Sequence, residues 1–132
     1  MVSATFVRRL GAVALILPMG DHLIAPVLTL LLAPAVMWSV FGPGAVAAVI
    51  FFVVLGVYQL IWIGILLKSK NALVLALGIP GNVVSIVIYF VSLSGVAIFG
   101  VPPQNGGVFA LIIKALEAVF LVASIYTLRR VG

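Results

Sequence analysis

The sequence predicts an all-α fold: a polytopic membrane protein built as one four-helix bundle, with both chain ends on the cytoplasmic side. Three observations predict it. First, 66% of the 132 residues are hydrophobic and only 7% are charged, where a soluble domain carries about 25% charged residues. Second, the apolar residues fall into four runs, each close to the roughly 20 residues that a helix needs to cross the hydrocarbon of a bilayer. Third, six of the seven basic residues flank these runs on one side. Alternating strands of about 10 residues, the pattern of a membrane β-barrel, are missing from the sequence. Without water in the hydrocarbon, backbone groups must be satisfied within their own segment, which leaves helices.

The first run covers 10–38 and carries Pro18, Pro26 and Pro34. Arg8 and Arg9 before it, and Ala33-Pro-Ala35 near its end, are also features of a secretory leader. The run is longer than a leader core and Pro34 would sit beside the cut, so the segment is expected to be retained. The second run covers 45–67, after the Phe41-Gly-Pro-Gly44 turn. The third covers 72–93, after a turn that holds Lys68 and Lys70. The fourth covers 108–128, after a Gly- and Pro-rich link over 100–107, and is followed by Arg129 and Arg130. Gly and Pro end helices in these links. The links at 41–44 and 100–107 have no Lys or Arg. Basic residues stay cytoplasmic, so both termini and the 68–71 turn are placed inside. One domain, 1–132, is expected, in the cell membrane, with the lipid bilayer as its first partner.

The net charge of +5 does not point to nucleic acid, because the basic residues form short pairs between apolar runs and no basic face. Cysteine is absent and there is one histidine. A zinc or copper centre needs three or four ligands, and haem ligation from both sides needs a second axial group. No cofactor or metal is expected. Nucleophilic catalysis would need an activated nucleophile with a positioned base, and no such spacing is recognisable, so no enzyme activity is expected.

The charged residues inside the runs are the candidate site. Asp21 and Glu117 are the only acids in the chain. Lys114 precedes Glu117 by three positions, the spacing of an ion pair within one helix. At about 1.5 Å per residue, Asp21, Asn82 and Glu117 fall near the bilayer middle, and Gln59 lies somewhat nearer the inner side. Each helix thus contributes a polar group at similar depth: Asp21 and His22, Gln59, Asn82, and Lys114 with Glu117. Intramembrane charges normally face the bundle interior and pair. Asp21 and His22 are therefore expected to face the interior, with Asp21 pairing across the bundle, Lys114 as first partner and Asn82 as second; its neighbour His22 or a proton of its own, which burial without a partner would impose, are the alternatives. His22, about 100° away around the helix, is expected to reach a different helix, a water or a partner subunit. The same residues can serve as interhelical hydrogen-bonding glue or as a proton or ligand site.

Pro18-Met-Gly before Asp21 and Pro80-Gly before Asn82 suggest helices interrupted at corresponding places in two halves, a pointer to transporter-type sites. Small residues at i and i+4 allow helix backbones to approach. Gly44 with Ala48 and Gly81 with Ser85 have this spacing, and Gly56 and Gly64, two turns apart, give a second flat patch on the second helix; these are the expected packing positions. Trp38, Trp62, Tyr89 and Tyr126 are candidate interface anchors; Tyr58 is deep and is expected to pack in the bundle.

Four short stretches carry a resemblance. HLIAP at 22–26, YQLIWIGIL at 58–66, GIPGNVVSIVIYFVSLSGVAIFG at 78–100 and ALEAVFLVASIYTL at 115–128 resemble small uncharacterised four-helix membrane proteins of actinobacteria and archaea. The resemblance implies the same architecture and singles out His22, Gln59, Asn82 and Glu117; it implies no activity. The sequence departs from that pattern at Val27 and Leu28, and it lacks an acid in the 101–107 link.

Two functions follow as expectations. One is a non-catalytic accessory or structural subunit of a larger membrane complex, such as a respiratory or oxidase assembly. The other is a small homo-oligomeric transporter or proton-conducting protein that uses the midplane cluster.

Overall fold

Ser3 starts the first helix. Its Oγ accepts the Phe6 N–H at 3.1 Å, satisfying one of the donors that a helix start leaves open. In the computed structural model, which describes residues 2–95 and 107–131, helix α1 accordingly spans Ala4–Leu23 and includes Arg8 and Arg9. It is followed by α2 (Ala25–Leu32), α3 (Pro34–Phe41), a short 3-10 turn (Gly42–Gly44), α4 (Ala45–Lys68), α5 (Ala72–Leu93) and α6 (Gly107–Val131). Together they make four stretches long and apolar enough to cross a membrane: Ala4–Leu32, Pro34–Lys68, Ala72–Leu93 and Gly107–Val131. Most of the predicted 100–107 link lies outside the described residues.

The single helix expected over 10–38 is three helices. The breaks come at Ile24 and at Ala33, whose φ of −141° and ψ of 62° are not helical. The physical cause is proline. Pro26 and Pro34 lie in the first turns of α2 and α3, where a missing N–H costs nothing. Ala33, directly before Pro34, is pushed out of the helical region, whereas Ile24 keeps a helical backbone (φ −99°, ψ −48°) and α1 runs into α2 with little interruption. The boundary between the first two spans therefore falls at Ala33, before the Phe41-Gly-Pro-Gly44 turn. Pro18 and Pro80, by contrast, lie inside continuous helices, so neither predicted interruption is a break.

α1 is the central element. It packs along both α4 and α6; α5 packs on α6 and touches α4 less. The basic residues gather at one end, which we call the basic end. There Arg8 donates through Nη1 to the carbonyls of Ser69 (2.6 Å) and Leu66 (3.2 Å). A cation on the unsatisfied carbonyls of a helix C-terminus is favoured by both hydrogen bonding and the helix dipole. Asn71 starts α5, its Oδ1 accepting the N–H groups of Leu73 and Val74.

Close helix contact depends on small residues, though not on all of those expected. A Cβ built at Gly56 would stand 2.6 Å from the Leu23 backbone, so α4 and α1 touch there, and a Cβ at Gly81 would overlap the Tyr58 ring. Ser85 is buried against α6. Two expected positions differ. Gly64 has nothing within 4 Å of such a Cβ: it points away from the neighbouring helices. Gly44 belongs to the turn before α4, and the small residues that pack are Ala45 and Ala48, both fully buried. Gly11 and Gly78 are further contact points, against Ala123 and Leu66 and against Trp62.

A contiguous apolar cluster consists of Leu15, Leu66, Leu75, Phe120 and Ala123. In each helix these residues lie on the basic-end side of the polar position: Leu15 before His22, Leu66 after Gln59, Leu75 before Asn82, and Phe120 after Glu117. The core thus closes the basic half of the bundle beneath the polar residues.

Candidate functional site: a buried polar network beneath a cavity

Gln59 is fully buried at the centre of α4 and joins four helices. Its Nε2 donates to Glu117 Oε2 on α6 at 2.6 Å and to Asn82 Oδ1 on α5 at 3.3 Å. Its Oε1 meets His22 Nδ1 on α1 at 2.8 Å. This fixes the roles. A carboxylate only accepts, so the Gln59 amide nitrogen must face Glu117 and its oxygen must face His22. The His22 ring therefore donates from Nδ1. The other ring nitrogen, Nε2, has no hydrogen-bond partner among the described residues.

Glu117 has no exposed surface. Its Oε2 also accepts the Ser85 hydroxyl at 2.7 Å. Lys114 Nζ lies 2.6 Å from Oε1 and donates to Ser85 Oγ at 3.0 Å. Oε1 accepts no hydrogen bond of good direction, so the Lys114 contact with it is chiefly Coulombic. The two residues are one turn apart, as their spacing predicted. Asn82 completes the set by donating through Nδ2 to the Gly78 carbonyl at 3.0 Å. Tyr58 O–H donates to the neighbouring Leu77 carbonyl at 3.1 Å.

The network brings together five of the six predicted site residues: His22, Gln59, Asn82, Lys114 and Glu117. Asp21 is the exception. It is half-buried, and no hydrogen bond or ion pair reaches it among the described residues. The expected pairing with Lys114 or Asn82 does not occur, because Lys114 is held by Glu117 on its own helix and Asn82 by Gln59 and Gly78. Two adjacent helical residues point about 100° apart, and His22 takes the inward direction. His22 reaches a different helix, as expected, through Gln59 on α4; the pairing expected for Asp21 is the part that the structure does not show.

Asp21 instead lines a partly open cavity of about 290 Å³. His22, Ser85 and Lys114 also line it and form its floor, where it meets the network. Its further lining residues, including Thr29, Phe41, Ser92 and Ala110, lie on the side of the network away from the basic end. An aromatic wall runs along α3 and α4. Phe52 stacks on the His22 ring, with centroids 5.9 Å apart and planes at 2°. Phe41 and Phe51 meet Phe52 edge-on. Opposite, Lys114 Nζ lies 5.8 Å from the centroid of the Tyr89 ring.

The sequence reading missed this wall and gave Ser85 only a packing role. A signal was present. Positions 82, 85, 89 and 92 recur at helical spacing on α5, as do 52, 55 and 59 on α4; each set continues the face of a polar residue that had been singled out.

No family model, no curated protein and no solved structure matches the chain. The geometry of this site carries the functional reading.

Proposed function

We propose that the protein is a non-catalytic, multi-pass protein of the cell membrane that binds a small ligand in the cavity above the polar network. In this reading both ends and the 68–71 turn face the cytoplasm, by the positive-inside rule, and the cavity belongs to the opposite half of the bilayer. The observation that carries it is the half-open chamber with apolar walls, a few convergent polar groups and a floor already fixed by hydrogen bonds. That is the usual anatomy of a ligand site. Its size is adequate: a dry cavity of about 150 Å³ already takes up benzene, and this one is about 290 Å³.

Of the two expected functions, the transporter-like one is the nearer to this reading. A proton or ion path straight through one chain is not favoured, because the Leu15, Leu66 and Phe120 core closes the bundle beneath Glu117. Passage to the basic end would require α1 to separate from α4 or α6. Small-residue faces open to other subunits would favour the accessory-subunit function. Gly56 and Gly81 face α1 and α4 of the same chain, so that support is weaker.

The test is thermal unfolding of the purified chain in detergent, with and without small aromatic compounds. At least one compound should raise the melting temperature of the native chain. It should have no effect on Ala110→Phe, which fills the chamber from α6. A panel that stabilises neither chain, or both equally, overturns the reading.

A further inference from the structure

Resting on that reading of the cavity, we propose that its ligand is a lipophilic cation: an amine or quaternary ammonium with an aromatic or branched apolar body, held by Asp21 against the aromatic wall.

Three side chains lining or flooring the cavity carry or can carry charge besides Asp21: His22, Lys114 and, just beneath, Glu117. Lys114 and Glu117 neutralise each other at 2.6 Å. His22 donates from Nδ1 to Gln59, and in the neutral ring that tautomer makes Nε2 an acceptor. Asp21 remains on the cavity wall as the one acid with no counter-ion among the described residues, and a cation beside it would favour its ionised form. In a low-dielectric setting such a group gains most from a positive partner.

An anionic ligand meets the opposite situation. The nearest cation is Lys114, and recruiting it would leave Glu117, a carboxylate with no exposed surface, without its ion pair. Removing one member of a buried pair is the costly direction. The acceptors Asp21 and His22 Nε2 would also face the anion.

The walls agree with a cation. Phe41, Phe51, Phe52 and Tyr89 line the chamber, and aromatic faces attract ammonium groups within about 6 Å of the ring centroid. The Tyr89 ring already holds one, the Lys114 ammonium at 5.8 Å. A primary or secondary amine would add N–H donors for Asp21 and His22 Nε2; a quaternary ammonium would rely on Asp21 and the rings.

The experiment compares three probes of similar size on the full chain in detergent: phenyltrimethylammonium, its uncharged isostere tert-butylbenzene, and benzenesulfonate. Binding is followed by thermal shift and equilibrium dialysis. Phenyltrimethylammonium should bind the native chain best. Its affinity should fall at least about tenfold in Asp21→Asn, as expected when a charge partner is lost from a poorly solvated site. Asp21→Glu should restore much of it. Ala110→Phe should abolish binding of every probe. Asp21 has no hydrogen bond to lose, so Asp21→Asn should match the native chain in circular dichroism and elution volume. If tert-butylbenzene or benzenesulfonate binds as tightly as the cation, or Asp21→Asn binds the cation as well as the native chain does, while Ala110→Phe abolishes binding, the cation proposal fails and the cavity reading stands. If no probe binds, or Ala110→Phe binds as the native chain does, both fail.

Discussion

The two halves of the bundle solve the same problem in different ways. In the basic half, four helices meet through small residues and apolar side chains. Gly11 admits Ala123 and Leu66, Leu15 and Phe120 are at most 1% exposed, and Arg8 ties α1 to the end of α4. In the other half, α1 gives way to α2 and α3, and the space among the helices is left open above a polar floor. Lipid tails are as apolar as leucine, so membrane helices associate through close packing and hydrogen bonds rather than through the hydrophobic effect. The basic half uses mainly the first device and the middle of the molecule the second. What the comparison teaches is where substitution should matter. The floor and the packed half hold the fold, and the upper walls are free to serve a ligand.

The largest effect should come from the floor. Glu117→Leu leaves Lys114 without its ion pair beside a buried serine, and breaking a buried pair in this way costs about 3–5 kcal/mol. Reversible unfolding in mixed micelles should show that loss; a change below about 1 kcal/mol would mean that the network is not a structural floor. In the packed half, Gly11→Ala should cost about 1–3 kcal/mol, the range for overpacking, because the added methyl meets Ala123 and Leu66. Gly64→Ala is its control. With open space at that position and the higher helix propensity of alanine, it should be neutral or stabilising by up to about 1 kcal/mol. Equal effects at the two glycines would erase the distinction drawn from the packing. A double-mutant cycle of Gln59→Leu and Asn82→Leu should return a coupling of about 0.6 kcal/mol, and not above about 1.7, the range measured for interhelical hydrogen bonds in a membrane protein.

The smallest expected effect on stability is at Asp21. Asp21→Asn should shift unfolding by less than about 0.5 kcal/mol, as surface-like substitutions do, although aspartate is the rarer and costlier residue in a membrane span. A large loss would reveal a structural partner for this carboxylate and remove the contrast between floor and wall. The lack of cysteine in the chain allows a complementary check of the proposed orientation: if the cavity half faces outward, a single cysteine at Thr29 should react with a membrane-impermeant maleimide added from outside, and one at Ala123 should not. Equal labelling would show that the two halves do not differ in access.

Much of this was legible in the chain itself. The four apolar runs, the turns marked by Lys68 to Asn71 and by Gly42 to Gly44, and the spacing of Lys114 and Glu117 are one-dimensional signals, because each depends on composition or on helical period along a single segment. The choice of His22, Gln59, Asn82 and Glu117 rests on the same footing: a polar side chain in an apolar run has few places to go. The partition of the first run into α1, α2 and α3 was written in Pro26 and Pro34, but those prolines could not be told from Pro18 and Pro80, which helices retain. Only the tertiary structure decided which member of the Asp21–His22 pair faces Gln59, since that choice depends on how α1 is rotated against α4, and a rotation of about 100° exchanges them. It also decided that Gly56 is a contact and Gly64 is not, and that Phe41, Phe51, Phe52 and Tyr89 surround a space. A cavity is a property of the distance between helices, and no single helix carries a record of it.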